Sequence, residues 1–310
     1  MKKNLLLLAL LTAVSFGISA CHNDKEEIKP SDNDDKTEQK YKDNAVKFEF
    51  NDATPIDYYV YDEETGRTDY TIKELELTES GYYFVKLEKK RNQEVKATRA
   101  GGSEIQILWG MYTQREDGSL DLAGFGYVSI VNNGNSSAQV TINLVTGTEN
   151  PNTTVTVTVT VTPPNNNNSQ KNQDLCRAWD IISTRVQIEG VSGFYQEQGC
   201  NINSILDYIK NYSDVKDNLK PNTVIETIVF SDNGTFALLY KNTRTDKATW
   251  HWVNEQEGTL RYDWDFGDMG YSFIDGTASV TFGNPTQLKL FGTVNDGQSA
   301  KKVTATINIK

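Results

Sequence analysis

The sequence predicts an all-β protein with two antiparallel β domains, and three observations lead to this prediction. Thr, Asn, Gly, Val and Tyr dominate long stretches of the 310-residue chain, and these residues favour strands and turns. Short runs of alternating apolar and polar residues recur between turn clusters rich in Gly, Asn and Asp. A stretch at 163–173 has two prolines and no apolar residue, which is typical of a linker between two parts of domain size.

The first domain is predicted at 46–162 and ends in the clearest strand of the chain. Residues 154–162 alternate threonine and valine without exception, as expected of a strand with one buried face. Earlier strands are predicted at 46–50, 57–61, 71–77, 82–87, 104–112, 119–122, 127–131 and 138–144.

The second domain is predicted at 174–310 as an eight-stranded barrel. Short turns such as Asp232-Asn233-Gly234 join most of its strands, and such turns favour an antiparallel meander. Eight strands can close around packed side chains or one small ligand. The strands are predicted at 181–189, 224–230, 235–241, 248–253, 259–266, 277–282, 287–294 and 302–309.

One short helix is predicted between the first two strands of this barrel. Apolar residues recur there at helical spacing, and Asn201 or Asn203 could cap the start. The position would allow the helix to plug one end of the barrel. The apolar residues are Ile202, Ile205, Leu206 and Ile209.

A faint internal repeat relates the two domains. Residues 75–85 align with 228–238 when Gly81 is placed on Gly234, with apolar residues at matching positions. Either a duplication or the shared chemistry of hairpins explains the match.

The N-terminal segment predicts export and a lipid anchor. Two lysines precede an uncharged apolar stretch from Leu5 to Ile18, which is too short and too interrupted for a transmembrane helix. Ser19-Ala20-Cys21 follows, and the whole resembles the signals of bacterial lipoproteins. We expect residues 1–20 to be a signal peptide and Cys21 to carry the lipid that holds the protein at a membrane.

Residues 21–45 are predicted to be a flexible tether. The segment is strongly charged and nearly devoid of apolar residues, so ordering it would bury little surface. An acidic cluster behind Cys21 resembles the export signals of surface lipoproteins in Bacteroidales. The predicted location is therefore the outer membrane, facing the cell surface, with the periplasmic face as the alternative.

The charge and the cysteines limit the function classes. A formal net charge of −11 disfavours nucleic acid as a partner. Cys176 and Cys200 either form a disulfide, which export would permit, or are two buried free thiols. Neither cysteine belongs to a Cys-x-x-Cys pair or has a histidine near it in sequence, so no metal site is predicted.

Catalytic motifs are missing from the sequence. The histidines are His22, beside the anchor, and His251, between two tryptophans on a strand. There is no nucleophile elbow, zinc-protease motif, phosphate loop or dinucleotide fingerprint. We therefore predict no enzyme activity and no cofactor, although a separated carboxylate pair stays open. Asp263, Asp265 and Asp268 are interpreted as a solvated outer face rather than a calcium site.

Aromatic residues supply the candidate binding site. Trp250 and Trp252 share one face of a strand, while Tyr262, Trp264 and Phe266 share one face of the next. Paired strands would place these side chains in one aromatic wall. The wall is either barrel core or the lining of a ligand pocket.

Several segments resemble the lipocalin-like domains of Bacteroidales lipoproteins. The first half resembles the shorter β domain that often precedes them, through 78–81 and 122–126. The Gly-x-Trp motif of true lipocalins is absent, because Arg177-Ala178 precedes Trp179. The segments that carry the resemblance are 175–179, 199–202, 228–236 and 249–252.

This resemblance implies a lipocalin-like barrel, while the N-terminal signal and the missing catalytic motifs predict a membrane-anchored, non-enzymatic envelope protein. The predicted ligand of the barrel is a small apolar or amphipathic molecule. The alternatives are a surface glycan-binding accessory protein and a structural or adhesive protein without a small ligand. The filling of the second barrel and the exposure of the tryptophans distinguish these functions.

Overall fold

The computed structural model describes residues 46–62, 66–90, 105–132, 136–162, 169–215, 223–241, 245–264 and 274–310. The predicted signal, the Cys21 anchor and the whole of the tether lie outside them, as does the 163–168 part of the linker. The described residues form nineteen strands and two short helices in two separate antiparallel sheets. The predicted all-β class and the two β domains are thus confirmed.

The sheet of the first domain contains every strand predicted for it. Alternating side chains place one face of each strand in the core, as β9 shows with Val157 and Val159 buried and Thr156, Thr158 and Thr160 exposed. The strands are β1 Val46–Glu49, β2 Ile56–Asp62, β3 Gly66–Leu77, β4 Tyr82–Lys89, β5 Ile105–Gln114, β6 Leu120–Leu122, β7 Gly126–Asn132, β8 Ser137–Leu144 and β9 Thr153–Thr162.

The long strand β3 closes this barrel. Its last four residues pair with β1, as in Val46 opposite Leu77, and β1 also pairs with β9. The earlier part of β3 pairs instead with β2. The closed circuit therefore has eight strands, and β2 extends the sheet beside it.

The second barrel closes in the same way. Strand β10 pairs with β19 along its length and with β13 at its start, where Trp179 lies opposite Ile228. The eight-stranded circuit with one short helix beside it confirms the prediction. The strands are β10 Ala178–Ile188, β11 Tyr195–Gln198, β12 Cys200–Asn201, β13 Val224–Phe230, β14 Thr235–Tyr240, β15 Thr245–Asn254, β16 Thr259–Trp264, β17 Ile274–Thr281, β18 Thr286–Asn295 and β19 Ala300–Ile309.

A first helix, α1 (Gln170–Leu175), corrects the predicted linker boundary. The Ser169 side chain accepts a hydrogen bond from the Asn172 N–H at 3.1 Å and so caps the helix. The linker assigned to 163–173 therefore ends before Ser169. Strands β11 and β12, four and two residues long, were also not predicted.

The predicted helix is α2 (Ile202–Lys210), with Asn201 as its N-cap. All four residues of the predicted apolar stripe are buried in the core of the second barrel. The backbone N–H of Asp214, just after the helix, donates to the Asn295 carbonyl at the end of β18. The helix therefore packs on the core of the barrel beside the end of β18. In the described part of the chain, no helix has the length and apolarity that a membrane span requires.

The internal repeat has a structural counterpart in two hairpin turns. The Gly81 N–H donates to Thr78 O at 3.1 Å, and the Gly234 N–H donates to Ser231 O at 3.0 Å. Both glycines adopt a positive φ, 81° and 88°, which residues with a Cβ adopt at a cost. The two hairpins therefore share one turn geometry.

The strand that follows each hairpin forms equivalent hydrogen bonds to the turn. The backbone N–H of Tyr112 donates to Gly81 O, and that of Trp250 donates to Gly234 O, both at 2.8 Å. The side chains then reach equivalent carbonyls, Tyr112 Oη to Thr78 O at 2.7 Å and Trp250 Nε1 to Ser231 O at 3.0 Å. Side-chain contacts of this kind go beyond generic hairpin chemistry and favour a duplication.

Candidate functional site

The aromatic wall predicted from the sequence forms inside the second barrel. Strands β15 and β16 pair with Trp250 opposite Tyr262 and Trp252 opposite Leu260. Trp250 is 5% exposed and Tyr262 is 1% exposed, while Trp252 is half-buried. The Trp264 side chain and the whole of Phe266 lie outside the described part of the chain.

Other aromatic rings fill the space in front of this wall. Phe230 meets Trp250 edge to face with centroids 5.5 Å apart and stacks on Phe236 at 4.7 Å. Phe236 in turn contacts Tyr262 at 5.2 Å. Such spacings are typical of packed aromatic cores. Trp250 and Tyr262 therefore belong to the core of the barrel.

Polar contacts seal the α1 end of this interior. The Trp252 indole donates to Asn172 Oδ1 at 3.0 Å, and Asn172 Nδ2 donates to Asp232 Oδ1 at 2.7 Å. Lys171 donates to the carbonyls of Glu255 and Gln256. Because these groups satisfy one another, a ligand entering here would break several hydrogen bonds.

The α2 end of the barrel has a different character. Three tyrosines meet at its rim, with Tyr208 5.8 Å from Tyr195 and 5.3 Å from Tyr212 between ring centroids. Among the described residues, the buried hydroxyl oxygen of Tyr208 has no hydrogen-bond partner. A shallow depression of about 420 Å³ adjoins Tyr212 and is lined by Lys210, Asn211, Tyr212, Ser213, Asp214, Asp296 and Lys301.

Both cysteines of the second domain are buried free thiols. Cys200 lies opposite Ile225 on β13, whereas Ala178 lies opposite Val229, about 13 Å further along the strand. Cys176 lies beyond Ala178, and cysteines with Cα atoms more than about 7 Å apart cannot be bridged. The disulfide alternative is therefore wrong, and burial raises the pKa of Cys200 to about 12.

The remaining polar candidates lie on outer surfaces. His251 is exposed opposite Arg261, on the face away from Trp250. Asp263 is also exposed, 3.7 Å from Arg261, which confirms the solvated outer face at this position. Asp265 and Asp268 fall outside the described ranges, and within those ranges no three His, Cys, Asp or Glu residues cluster as metal ligands would.

Sequence reasoning missed a contact between the outer faces of the two barrels. Its apolar centre joins Phe84 of β4 to Val229, Ala237 and Leu239 of β13 and β14, all buried. The half-buried Trp109 of β5 packs at its edge. The signal in the sequence was the missing alternation of apolar and polar residues in β14, which is typical of a strand covered on both faces. All six residues of β14 are buried.

A buried charge cluster flanks this apolar centre. The Lys247 side chain is 0% exposed, with its Nζ 2.8 Å from Glu76 Oε2 and 3.2 Å from Glu74 Oε1. Lys47 lies 2.9 Å from Glu74, and the Thr235 hydroxyl donates to Glu76. Burial alone would raise the pKa of Glu74, but Lys247 and Lys47 together hold it below its ordinary value.

Glu79 of the first barrel forms hydrogen bonds to the second barrel at another point of the same contact. Its Oε1 accepts the backbone N–H of Asp232 at 2.7 Å, and its Oε2 accepts the Ser231 hydroxyl. Burial raises the pKa of Glu79 to about 7, although these two hydrogen bonds favour the charged form. Burial, and then the nearby carboxylates of Glu79 and Asp232, raise the pKa of the Cys176 thiol well above its ordinary value.

Comparisons with known proteins found no family model that matches the chain and no matching curated protein. The class of the protein is thus defined by its fold, two closed eight-stranded antiparallel barrels, the second with a short helix beside it. Such barrels are compatible with a ligand-binding protein of the lipocalin-like type.

Proposed function

We propose that the chain is a membrane-anchored, non-enzymatic lipoprotein of the bacterial cell envelope. A lipid on Cys21 would hold it in the outer membrane, facing the cell surface. The sequence from Lys2 to Cys21 supports the anchor, and the acidic cluster behind Cys21 supports surface exposure over the periplasmic face. The similarity to lipocalin-like lipoproteins of Bacteroidales supports the same assignment.

The proposed ligand of the C-terminal barrel is a small apolar or amphipathic molecule. The observation that carries this proposal is that the two ends of an aromatic barrel are closed unequally. Hydrogen bonds of Asn172 lock the α1 end. The α2 end is closed by a nine-residue helix and a rim of tyrosines, where the Tyr208 hydroxyl has no partner in the described part of the chain.

The chemistry of the α2 end favours a ligand with an anionic head group. The apolar tail of the ligand would replace contacts that α2 makes with the core. The anionic head group would accept a hydrogen bond from the Tyr208 hydroxyl. Lys210 lines the adjoining depression and could pair with a carboxylate, whereas Lys301 in the same depression already pairs with Asp296. We therefore expect long-chain carboxylates or bile-acid-like amphiphiles to bind before neutral alkanes.

Titration calorimetry of the mature chain tests this proposal. We expect saturable binding of a long-chain carboxylate, weakened about fivefold by Tyr208→Phe, because one hydrogen bond contributes about 1 kcal/mol. Tyr127→Phe in the first barrel is the matched control and should bind as the parent does. Absence of saturable heat with both amphiphile classes would contradict the proposal.

The filled interior favours a second candidate, a structural or adhesive envelope protein without a small ligand. Its supporting observation is the packing of Phe230 and Phe236 against the aromatic wall. A glycan-binding role has less support, since the side chains of Trp109, Trp179, Trp250 and Trp252 are buried or half-buried. If calorimetry shows no binding of amphiphiles and a glycan array shows no binding of glycans, the structural or adhesive role is favoured.

The anchor has its own test in the native host. Metabolic labelling with an alkyne fatty acid should mark the wild-type protein and leave Cys21→Ala unlabelled. Protease added to intact cells should digest a surface protein and spare a periplasmic one. Labelling of Cys21→Ala would refute lipid attachment at this residue.

A further inference from the structure

The contact between the two barrels contains an acid that bridges two elements distant in sequence. Glu79 lies in the turn between β3 and β4 and is 9% exposed. Its carboxylate accepts hydrogen bonds from Ser231 and Asp232, in the turn between β13 and β14. Separation of the barrels would transfer this carboxylate from a buried site to water.

The groups that face Glu79 leave its negative charge uncompensated. The Asp232 carboxylate approaches from the opposite turn, and the Cys176 thiol, at the end of α1, hydrogen-bonds to the Glu79 carboxylate. The Tyr112 hydroxyl, from β5, donates to the neighbouring Thr78 carbonyl. No lysine or arginine pairs with Glu79 in the described part of the chain, and the buried Lys247 binds Glu74 and Glu76 instead.

We propose that protonation of Glu79 controls the docking of the two barrels, so that acid favours the docked form and alkali loosens it. The uncompensated burial of a carboxylate beside Asp232 is the physical cause. This inference concerns the contact between the barrels and does not depend on what the C-terminal barrel binds.

The sign of the effect follows from the two states of Glu79. The docked state has a pKa of about 7 for this carboxyl, against an ordinary value of 4.5. The docked form therefore binds more protons between these values, and its advantage is lost as the pH rises through 7. Between pH 5.5 and 8 the docking equilibrium should weaken on the order of 30-fold.

Two neighbouring groups, Glu74 and Cys176, do not change their charge between pH 5.5 and 8. The pKa of Glu74 lies below its ordinary value, so this residue stays ionised throughout. The pKa of Cys176 lies well above its ordinary value, so this residue stays a thiol. Glu74 and Cys176 therefore add no change of charge between pH 5.5 and 8.

The test compares wild type with Glu79→Gln in urea unfolding of the mature chain at pH 5.5 and 8. The unfolding constant of wild type, divided by that of Glu79→Gln, should rise about 30-fold from the lower to the higher pH. Glu88→Gln, an acid-to-amide change at an exposed site of the same hairpin, is the matched control and should show a constant ratio.

A second variant ties the effect to docking. Val229→Asp places a charge in the apolar centre of the contact, on the outer face of its barrel, and should keep the barrels apart. In this background Glu79→Gln should have no pH-dependent effect. Equal pH dependence of wild type and Glu79→Gln, a ratio that falls with pH, or an effect that persists in Val229→Asp would each overturn the proposal.

Discussion

Replacing Lys247 by Met should destabilise the protein far more than a surface lysine change would. The Lys247 side chain is 0% exposed and lies within 3.2 Å of both Glu74 and Glu76. The substitution fills the volume of the lysine stem but leaves two carboxylates in a buried site. Glu74 keeps Lys47 as a partner, whereas Glu76 keeps the Thr235 hydroxyl alone among the contacts described above.

The expected loss follows from the energetics of buried ion pairs. Removing one partner of such a pair typically costs about 3–5 kcal/mol, because the remaining charge is desolvated and uncompensated. For a chain of this size the thermal midpoint should fall by on the order of 10 °C. Replacing both partners should be tolerated better, so Lys247→Met with Glu76→Gln should recover most of the loss.

Urea unfolding followed by circular dichroism measures this loss directly. Lys301→Met is the control, since Lys301 pairs with Asp296 at the surface and its removal should leave the midpoint almost unchanged. A loss below about 1 kcal/mol for Lys247→Met would refute the reasoning, because it would match an exposed ion pair. Failure of Glu76→Gln to recover stability would show that Lys247 acts through packing instead.

Two further predictions follow from burial. Trp250→Ala should lower the free energy of unfolding in urea by about 3–5 kcal/mol, because the indole ring lies in the core. The control His251→Ala, on the outer face, should change it by less than about 0.5 kcal/mol. Equal effects of the two substitutions would contradict the inward direction of Trp250. Cys176 and Cys200 should react with a thiol reagent only after denaturation, and a reducing agent should leave the unfolding midpoint unchanged. A midpoint lowered by the reductant would show a disulfide.

The strands were predictable because each strand of a barrel has a solvent-exposed outer face and a buried inner face. In β9 the threonines lie outside and the valines inside, so the alternation of the sequence gives both the strand and its orientation. The same rule placed Trp250 beside Tyr262 and His251 on the opposite face. Helix α2 was predictable because four apolar residues share one helical face.

The contact between the barrels was not predictable by that rule, because it covers faces that alternation assigns to solvent. Glu76 and Lys247 look like solvated outer residues in the sequence, yet both are buried. Charged residues are almost never fully buried unless paired, and their partners lie more than 150 positions away. Helix α1 was missed for a related reason, since its polar side chains bind distant residues such as Asp232.

The internal repeat gives this contact a physical explanation. Equivalent hairpins pack against each other, and positions near the centre of the contact meet their equivalents, as residues near the axis of an isologous interface do. Phe84 and Ala237 occupy equivalent positions in the same buried cluster, and one large and one small side chain fill a space that two of either would crowd or leave empty.

The same equivalence brings two acids together. Glu79 and Asp232 both lie two residues before the turn glycine, and each carboxylate raises the cost of charging the other. Asn172 Nδ2 donates a hydrogen bond to the Asp232 carboxylate at 2.7 Å. Burial raises the pKa of Glu79 to about 7, so this carboxyl takes up a proton as the pH falls through neutrality.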